Sequence, residues 1–203
     1  MALAFDAIVL AGGRSSRMPG QRKPQLPVGN ATMLQRVLAA VGRAGTRVVV
    51  GPPQPVPDRV VVVQETPPGS GPVSGLAAGT AEITAEIVLV VAADLPFLTP
   101  ELIEALIDGL TAEADVALLV DENGRDQYLL GAWRSAALRR ALGDLDPLPG
   151  RAMRELLARL EVARVAVPVP KGSPAPWTDV DTPADLQHAR AAGQPGSPPQ
   201  SPA

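Results

Sequence analysis

Residues 8–25 are Ile-Val-Leu-Ala-Gly-Gly-Arg-Ser-Ser-Arg-Met-Pro-Gly-Gln-Arg-Lys-Pro-Gln. The apolar run that ends at Leu10 predicts a buried strand, and two glycines follow soon after it. Glycines let a ligand approach backbone N–H groups and tolerate the positive φ that anion-binding concavities need. Side chains that can neutralise phosphate charge lie within eleven residues of the first glycine: Arg14, Arg17 and Lys23. The stretch therefore predicts a phosphate-binding loop, and the alternative is a solvated turn with surface basic residues.

Two common phosphate-binding motifs are absent from this loop. The Gly-x-Gly-x-x-Gly fingerprint of dinucleotide-binding folds does not occur, and neither does the Gly-Lys-Ser/Thr of P-loops. The prolines at positions 19, 24 and 27 keep residues 14–28 extended or turning. We therefore predict a long loop that can wrap around a ligand.

Apolar β-branched runs alternate with helical patterns along the rest of the chain. Strands are predicted at residues 7–10, 47–50, 59–63, 87–92, 116–120, 128–133 and 162–167. Helices are predicted at residues 32–43, 73–82, 100–110, 135–142, 151–160 and from a cap at Thr182 to about Ala192. This alternation predicts an α/β fold, a three-layer α/β/α sandwich with a mostly parallel, Rossmann-like sheet. We expect a single domain over residues 1–192 and a disordered tail over 193–203, whose Gly, Pro, Ser and Gln composition cannot form a core.

Composition excludes several classes of function. The net charge of −3 and an aromatic content of 2% argue against binding to nucleic acid or to an anionic membrane. The absence of cysteine excludes disulfides, thiolate metal sites and a cysteine nucleophile. No apolar window of ~18 residues and no signal peptide is present, so the expected location is cytoplasmic.

Aspartates occur in the segments that should lie at the ligand-binding edge of the sheet. Ligands bind beyond the carboxyl ends of parallel strands, and Asp94 follows the apolar run 87–93. A carboxylate there is costly unless it is paired, exposed or metal-bound, so Asp94 is a candidate Mg²⁺ ligand; a turn cap is the alternative. Asp179 and Asp181 alternate, so one can point into the site while the other points away, and either could instead cap the last helix.

The opening motif resembles the signature of a known enzyme family. Leu10-Ala11-Gly12-Gly13-x-x-x-Arg17-Met18, then Lys23 and Leu-Pro-Val-Gly, is similar to nucleotidyltransferases related to molybdenum cofactor guanylyltransferase. Further blocks in family order are Gly71-Pro72-x-x-Gly75-Leu76, Asp94-Leu-Pro-Phe-Leu and Asp179-Val-Asp181-Thr-Pro-x-Asp-Leu. The resemblance spans residues 5–190 and implies the three-layer nucleotidyltransferase fold.

The resemblance also implies roles for individual residues. The backbone of Leu10, Ala11 and Gly12 would contact the base and ribose, and Glu65 would be an acidic residue near the nucleotide. The triphosphate would be held by Gly13, Arg17 and Lys23. Asp94 would coordinate Mg²⁺, and the position of Asp181 would reach the same metal. The implied catalytic residues are Arg17, Lys23 and Asp94.

Two positions depart from the family pattern. Arg22 stands where an aspartate is usual, which adds positive charge beside the phosphates. Gly51 stands where asparagine is frequent, which removes a possible hydrogen bond to the nucleotide.

The implied reaction is the transfer of GMP from GTP to the terminal phosphate of molybdopterin or its molybdenum-loaded form, with release of pyrophosphate. A phosphate acceptor needs no protein nucleophile. The glycine at position 12 resembles the guanylyl-transferring members, since cytidylyl-transferring relatives typically carry alanine there. Alternatives are a transferase for CTP, for a sugar phosphate or for phospholactate, or a non-catalytic nucleotide-binding or cofactor-binding protein. Contacts with other proteins of cofactor synthesis, or with molybdoenzymes, would be transient.

Other polar and aromatic residues carry weaker signals. The candidates for the acceptor side are Arg125, Gln127, Arg151 and Arg154, with a surface turn or a solvated helix face as the alternative. Trp133 and Trp177 are expected to pack in the core. The single histidine, His188, is expected to be solvated on the last helix.

Overall fold

The computed structural model describes residues 3–12, 22–169 and 172–193. Its strands are β1 (Phe5–Leu10), β2 (Pro27–Val28), β3 (Ala31–Thr32), β4 (Arg47–Val50), β5 (Val60–Val63), β6 (Ile87–Ala92), β7 (Val116–Val120), β8 (Asp126–Arg134) and β9 (Val162–Val165). Its α-helices are α1 (Met33–Ala40), α2 (Pro72–Thr80), α3 (Pro100–Asp108), α4 (Ser135–Gly143), α5 (Met153–Leu157) and α6 (Pro183–Ala192). A 3₁₀ turn covers Lys23–Gln25. None of the helices in these described ranges is long and apolar enough to cross a membrane.

The main sheet has seven strands in the order β5-β4-β1-β6-β8-β7-β9. Its strand pairs are parallel except those of β8, which runs antiparallel to both β6 and β7. This arrangement confirms the mostly parallel sheet, in which β7 and β8 form an antiparallel hairpin.

The two faces of the sheet carry separate apolar layers. Because alternate residues of a strand point to opposite faces, Ala7 and Val9 of β1 pack with the side of α1 and α3, whereas Ile8 packs with the side of α2, α4 and α5. Trp133 is fully buried in the second layer, as expected for a packing residue. Helices therefore cover both faces, and the predicted three-layer sandwich is confirmed.

Two glycines allow helix α2 to pack closely on the sheet. A Cβ atom on Gly79 would come within 2.9 Å of the Ile8 side chain, and one on Gly75 within 3.3 Å of the Leu10 side chain. The two glycines share one face of the helix because they are four residues apart, and this face packs against β1. The second block of the sequence motif thus has a packing role.

Several predicted boundaries are wrong by a few residues. The fifth helix covers Met153–Leu157 rather than 151–160, because the Ala152 N–H donates to the Glu155 carboxylate and the helix begins after it. The last strand ends at Val165 rather than residue 167. The short β2–β3 hairpin was not predicted, since prolines indicated an irregular loop there.

A buried carboxylate fixes the amino-terminal edge of the sheet. Asp6 accepts backbone N–H bonds from Thr46, Thr84 and Ala85 at 2.7, 2.8 and 2.8 Å. Burial alone would raise the pKa of Asp6, but these hydrogen bonds outweigh it and hold the pKa below its ordinary value. Asp6 therefore connects β1 to the turns that precede β4 and β6.

Replacing Asp6 should test this anchor. Asp6→Ala should lower the free energy of unfolding by about 3 kcal/mol at neutral pH, because three backbone N–H groups lose their acceptor on the buried Asp6 carboxylate. The folded-state pKa is depressed, so the contribution is complete above the ordinary value of 3.8 and is lost as pH falls through the folded-state pKa. The difference in unfolding free energy between wild type and variant, measured by urea titration, should therefore narrow as pH falls below 3.8. Asp108→Ala, at an exposed helix end, is the control; a difference between wild type and Asp6→Ala that stays constant into acid would contradict the assignment.

Candidate active site

The carboxyl ends of the parallel strands meet at one edge, as the sheet register requires. Leu10 pairs with Val50 and Ala92, and Val50 pairs with Val63. A cleft of about 470 Å³ opens at this edge. The residues that line it include Leu10, Gly12, Gly51, Glu65, Gly71 and Asp94. Four of the residues predicted for the site therefore share one cavity.

The backbone after β1 is only partly available to a ligand. Leu10 and Gly12 line the cleft, but the Ala11 N–H donates to the Val50 carbonyl at 2.8 Å. The Ala11 side chain is buried in the layer formed with α1 and α3. A nucleotide contact by Ala11 stays a prediction, and only its carbonyl could make one.

Gly51 lets the end of β4 approach the loop after β1. A Cβ atom at this position would come within 2.9 Å of the Ala11 carbonyl and 3.0 Å of the Gly12 nitrogen. Both atoms belong to backbone, so no side-chain rotation could relieve the contact. The departure from the family pattern at Gly51 therefore has a steric reason in this chain.

Three segments that are distant in sequence converge on one ammonium group. Lys23 Nζ lies 2.6 Å from Asp94 Oδ2 and 2.5 Å from Asp181 Oδ1. The Lys23 side chain is only 13% exposed, whereas that of Asp181 is 41% exposed. The ion pairs are therefore only weakly screened on the lysine side.

The electrostatics of this cluster keep Lys23 charged. Burial would lower the pKa of Lys23, but the charge of Asp94 and the hydrogen bonds to Asp181 and Asp94 outweigh it, so the pKa is raised. Burial raises the pKa of Asp179, and the charges of Asp181 and Asp94 raise it further. Of the alternating pair, Asp181 is the carboxylate that contacts Lys23. Asp179 is close enough for the charges of Asp181 and Asp94 to affect its pKa.

A small apolar cluster positions the charged residues. Val180, between the two aspartates, is fully buried against Val28, Met33, Leu186 and Ala189. Leu26 from the Lys23 segment and Phe97 from the Asp94 segment pack against the same cluster. We call these seven residues the satellite cluster.

Backbone contacts complete the positioning. The Val180 N–H donates to the Asp94 carbonyl at 3.2 Å. The Asp181 and Thr182 N–H groups both donate to Asp185 Oδ2, and the Thr182 hydroxyl accepts from the Asp185 N–H, so α6 begins in a capping box. This positioning role was not predicted, although the apolar residue between the two aspartates is a signal visible in the sequence.

Arg22 contacts the protein rather than the cleft. Its guanidinium donates to the Pro53 carbonyl at 3.0 Å, and Gln25 donates to the Gln54 side chain at 3.1 Å. This contact gives Arg22 a bracing role against the loop after β4, and the expectation that it adds charge beside the phosphates stays a prediction.

The cluster suits a magnesium ion in its donor chemistry. Asp94 and Asp181 each direct one oxygen at the same cation, Lys23 Nζ. Mg²⁺ is typically bound by one or two carboxylates together with substrate phosphates and water. Among the described residues no group of three or more His, Cys, Asp or Glu side chains is arranged to hold a metal, so phosphate oxygens would have to complete the set.

The other predicted residues have varied positions. Glu65 accepts from the Gly69 N–H at 2.8 Å and closes the loop at the cleft rim. Gly13 and Arg17 lie outside the described residues. Of the residues predicted for the acceptor side, Gln127 donates to Asp121 and Arg154 is exposed. His188 on the last helix is exposed, as expected. Arg125 is an exposed turn residue, and the Trp177 indole is buried and donates to Glu122.

The comparison with known proteins identifies the family. The model of the MobA-like NTP transferase domain matches residues 7–165. The chain belongs to this family. It is a nucleotidyltransferase, as the resemblance implied. A Mycobacterium bovis protein named "Probable molybdenum cofactor guanylyltransferase" is 32% identical over 197 residues, covering 93% of each chain.

The names of solved structures with this fold refer to different nucleotides. Molybdopterin-guanine dinucleotide biosynthesis protein A from Archaeoglobus fulgidus matches with a TM-score of 0.68 at 21% identity, over 92% of this chain and 97% of that one. The 2-C-methyl-D-erythritol 4-phosphate cytidylyltransferase from Thermus thermophilus matches with a TM-score of 0.69 at 20% identity, over 94% and 98%. The fold alone therefore does not select the nucleotide.

Filling the space beside Gly51 should disturb the loop after β1. Gly51→Ala should weaken nucleoside triphosphate binding by about tenfold, because the added methyl group displaces the backbone of Ala11 and Gly12. Calorimetric titration measures the affinity. Gly143→Ala is the matched control, since a Cβ atom there meets nothing within 4 Å; equal affinity for both variants and wild type would show that the close approach has no role in binding.

Proposed function

We propose that this chain is a Mg²⁺-dependent guanylyltransferase that transfers GMP from GTP to the terminal phosphate of a molybdopterin-type acceptor. The observation that carries the proposal is the convergence of Lys23, Asp94 and Asp181 beside a cleft at the carboxyl edge of the sheet. The name of the Mycobacterium bovis relative supports the choice of acceptor and of guanine.

The reaction requires positioning and charge neutralisation rather than a protein nucleophile. An oxygen of the acceptor phosphate forms a bond to the α-phosphorus of GTP. The bond from that phosphorus to the bridging oxygen breaks, and pyrophosphate leaves with the electron pair. Negative charge accumulates on the phosphate oxygens, so cations held in a partly water-excluded site stabilise the transition state.

Each part of the site has a role in this scheme. Asp94 and Asp181 would hold Mg²⁺, which supplies charge neutralisation at the phosphates. Lys23 and Arg17 would neutralise the leaving pyrophosphate, together with the backbone of Gly13. Leu10, Ala11 and Gly12 would contact the base and ribose, with Glu65 close to the nucleotide at the cleft rim.

Removing the carboxylate of Asp94 should abolish most turnover without unfolding the protein. Asp94→Asn should lower kcat/KM by about 100-fold or more, because the amide is a poorer ligand for Mg²⁺. Pyrophosphate release at several Mg²⁺ concentrations measures this, with thermal melting as the check on folding. Asp108→Asn makes the same chemical change at an exposed site and should keep wild-type activity. A folded Asp94→Asn protein with normal turnover at ordinary Mg²⁺ would remove Asp94 from the metal site.

The identity of the nucleotide can be tested by direct competition. With molybdopterin as acceptor, kcat/KM for GTP should exceed that for CTP by ~10²-fold or more, because a mismatched base leaves polar groups of the site unpaired. Pyrophosphate release across four nucleotides and several phosphate acceptors measures both preferences together. A preference for CTP would refute guanine while keeping the nucleotidyltransferase activity. Binding of nucleotide without release of pyrophosphate from any pair would favour a non-catalytic binding protein.

A further inference from the structure

Lys23 makes the contacts that a metal ion on Asp94 and Asp181 would make. Its ammonium lies 2.6 Å from Asp94 Oδ2 and 2.5 Å from Asp181 Oδ1. A Mg²⁺ ion approaches carboxylate oxygens to about 2.0–2.1 Å. Two cations that share the same pair of oxygens would lie within contact distance and repel each other. Lys23 and the metal therefore cannot both hold these two oxygens in this arrangement.

The exchange of one cation for the other depends on a second anion. Lys23 is only 13% exposed, so an ammonium that gives up both carboxylates without a new partner would stay poorly solvated. A nucleoside triphosphate supplies this partner, because it brings phosphate oxygens to the same edge of the sheet. It also brings ligands that complete the coordination of Mg²⁺.

We infer that Lys23 occupies the metal position on Asp94 and Asp181 before nucleotide binds, and that it moves to the triphosphate when Mg²⁺ enters with the nucleotide. This inference rests on the proposed function, since it takes the same cleft to be the triphosphate site. It adds an order of events: the carboxylates are blocked against free metal, and the metal is admitted as the metal–nucleotide complex. Lys23 is then both a contact for the phosphates and a competitor of the metal.

The sharpest consequence is a pair of opposite effects from one substitution. Lys23→Met keeps an unbranched side chain but removes the charge. Titration of the nucleotide-free full-length chain with Mn²⁺, observed by electron paramagnetic resonance, should show binding about tenfold tighter than in wild type or more. Binding of GTP in the presence of EDTA should become weaker in the same variant.

Arg22→Met is the matched control for this experiment. Arg22 is the neighbouring cation on the same segment, but it donates to the Pro53 carbonyl rather than to the carboxylates. Its loss should change Mn²⁺ affinity by no more than roughly twofold, as expected for an exposed charge. Mn²⁺ binding to Lys23→Met that is no tighter than to wild type would overturn the inference, and so would an equal gain in both variants.

Failure of the cation exchange can be distinguished from failure of the proposed transferase function. Tight Mn²⁺ binding by Lys23→Met, without pyrophosphate release by wild type from any nucleotide and acceptor, would leave the exchange intact and refute the transferase activity. Turnover by wild type, with no gain of metal affinity in Lys23→Met, would refute the exchange alone.

A second measurement observes the wild-type protein itself, and a variant serves only to assign its signals. The sequence contains only two lysines, Lys23 and Lys171, so lysine labelled with ¹³C at Cε gives two signals that Lys171→Arg assigns. Millimolar Mg²⁺ alone should leave the Lys23 signal unchanged, whereas Mg²⁺ with GTP should shift it. A shift with Mg²⁺ alone to the same position, or no shift with both, would overturn the inference.

Discussion

The ammonium group of Lys23 connects its own segment to two residues, Asp94 and Asp181, that lie 71 and 158 residues further along the chain. A largely buried lysine needs anionic partners, and Asp94 and Asp181 provide them from the loop after β6 and from the segment before α6. The dependence is strongest on the lysine side, because an ammonium that is only 13% exposed is left uncompensated when a carboxylate is removed. The turn at Lys23–Gln25 is thereby fixed to the edge of the sheet at the place where phosphates would bind.

Apolar packing makes this electrostatic arrangement specific. Charge alone would allow many geometries, since a lysine side chain is long and flexible. The satellite cluster restricts them, because Val180 is buried directly before Asp181 and its N–H is bonded to the Asp94 carbonyl. Leu26 and Phe97 extend the same cluster toward the other two charged segments. The geometry of the charges therefore follows from a small core that lies outside the two large layers of the sandwich.

The sequence predicts the fold better than it predicts the contacts of the site. The strand at 87–92 and the Asp94 that follows it are recognisable, because a long apolar run before a carboxylate is typical of the edge of a parallel sheet. The contact made by Arg22 was not predicted, since its partner is a backbone carbonyl of a distant loop that no local pattern reveals. The choice between Asp179 and Asp181 was open for a similar reason. It depends on how Val180 packs, which is a tertiary property.

The most direct test of this account is a crystal structure of the chain with Mg²⁺ and a non-hydrolysable GTP analogue. We expect a metal ion bound by Asp94 and Asp181, with Lys23 Nζ bonded to a phosphate oxygen instead of to the two carboxylates. We also expect Val180 to stay packed in the satellite cluster, because only the cations exchange. A triphosphate bound elsewhere on the chain, or a Lys23 that remains between the two carboxylates while the metal is held by other residues, would contradict this account.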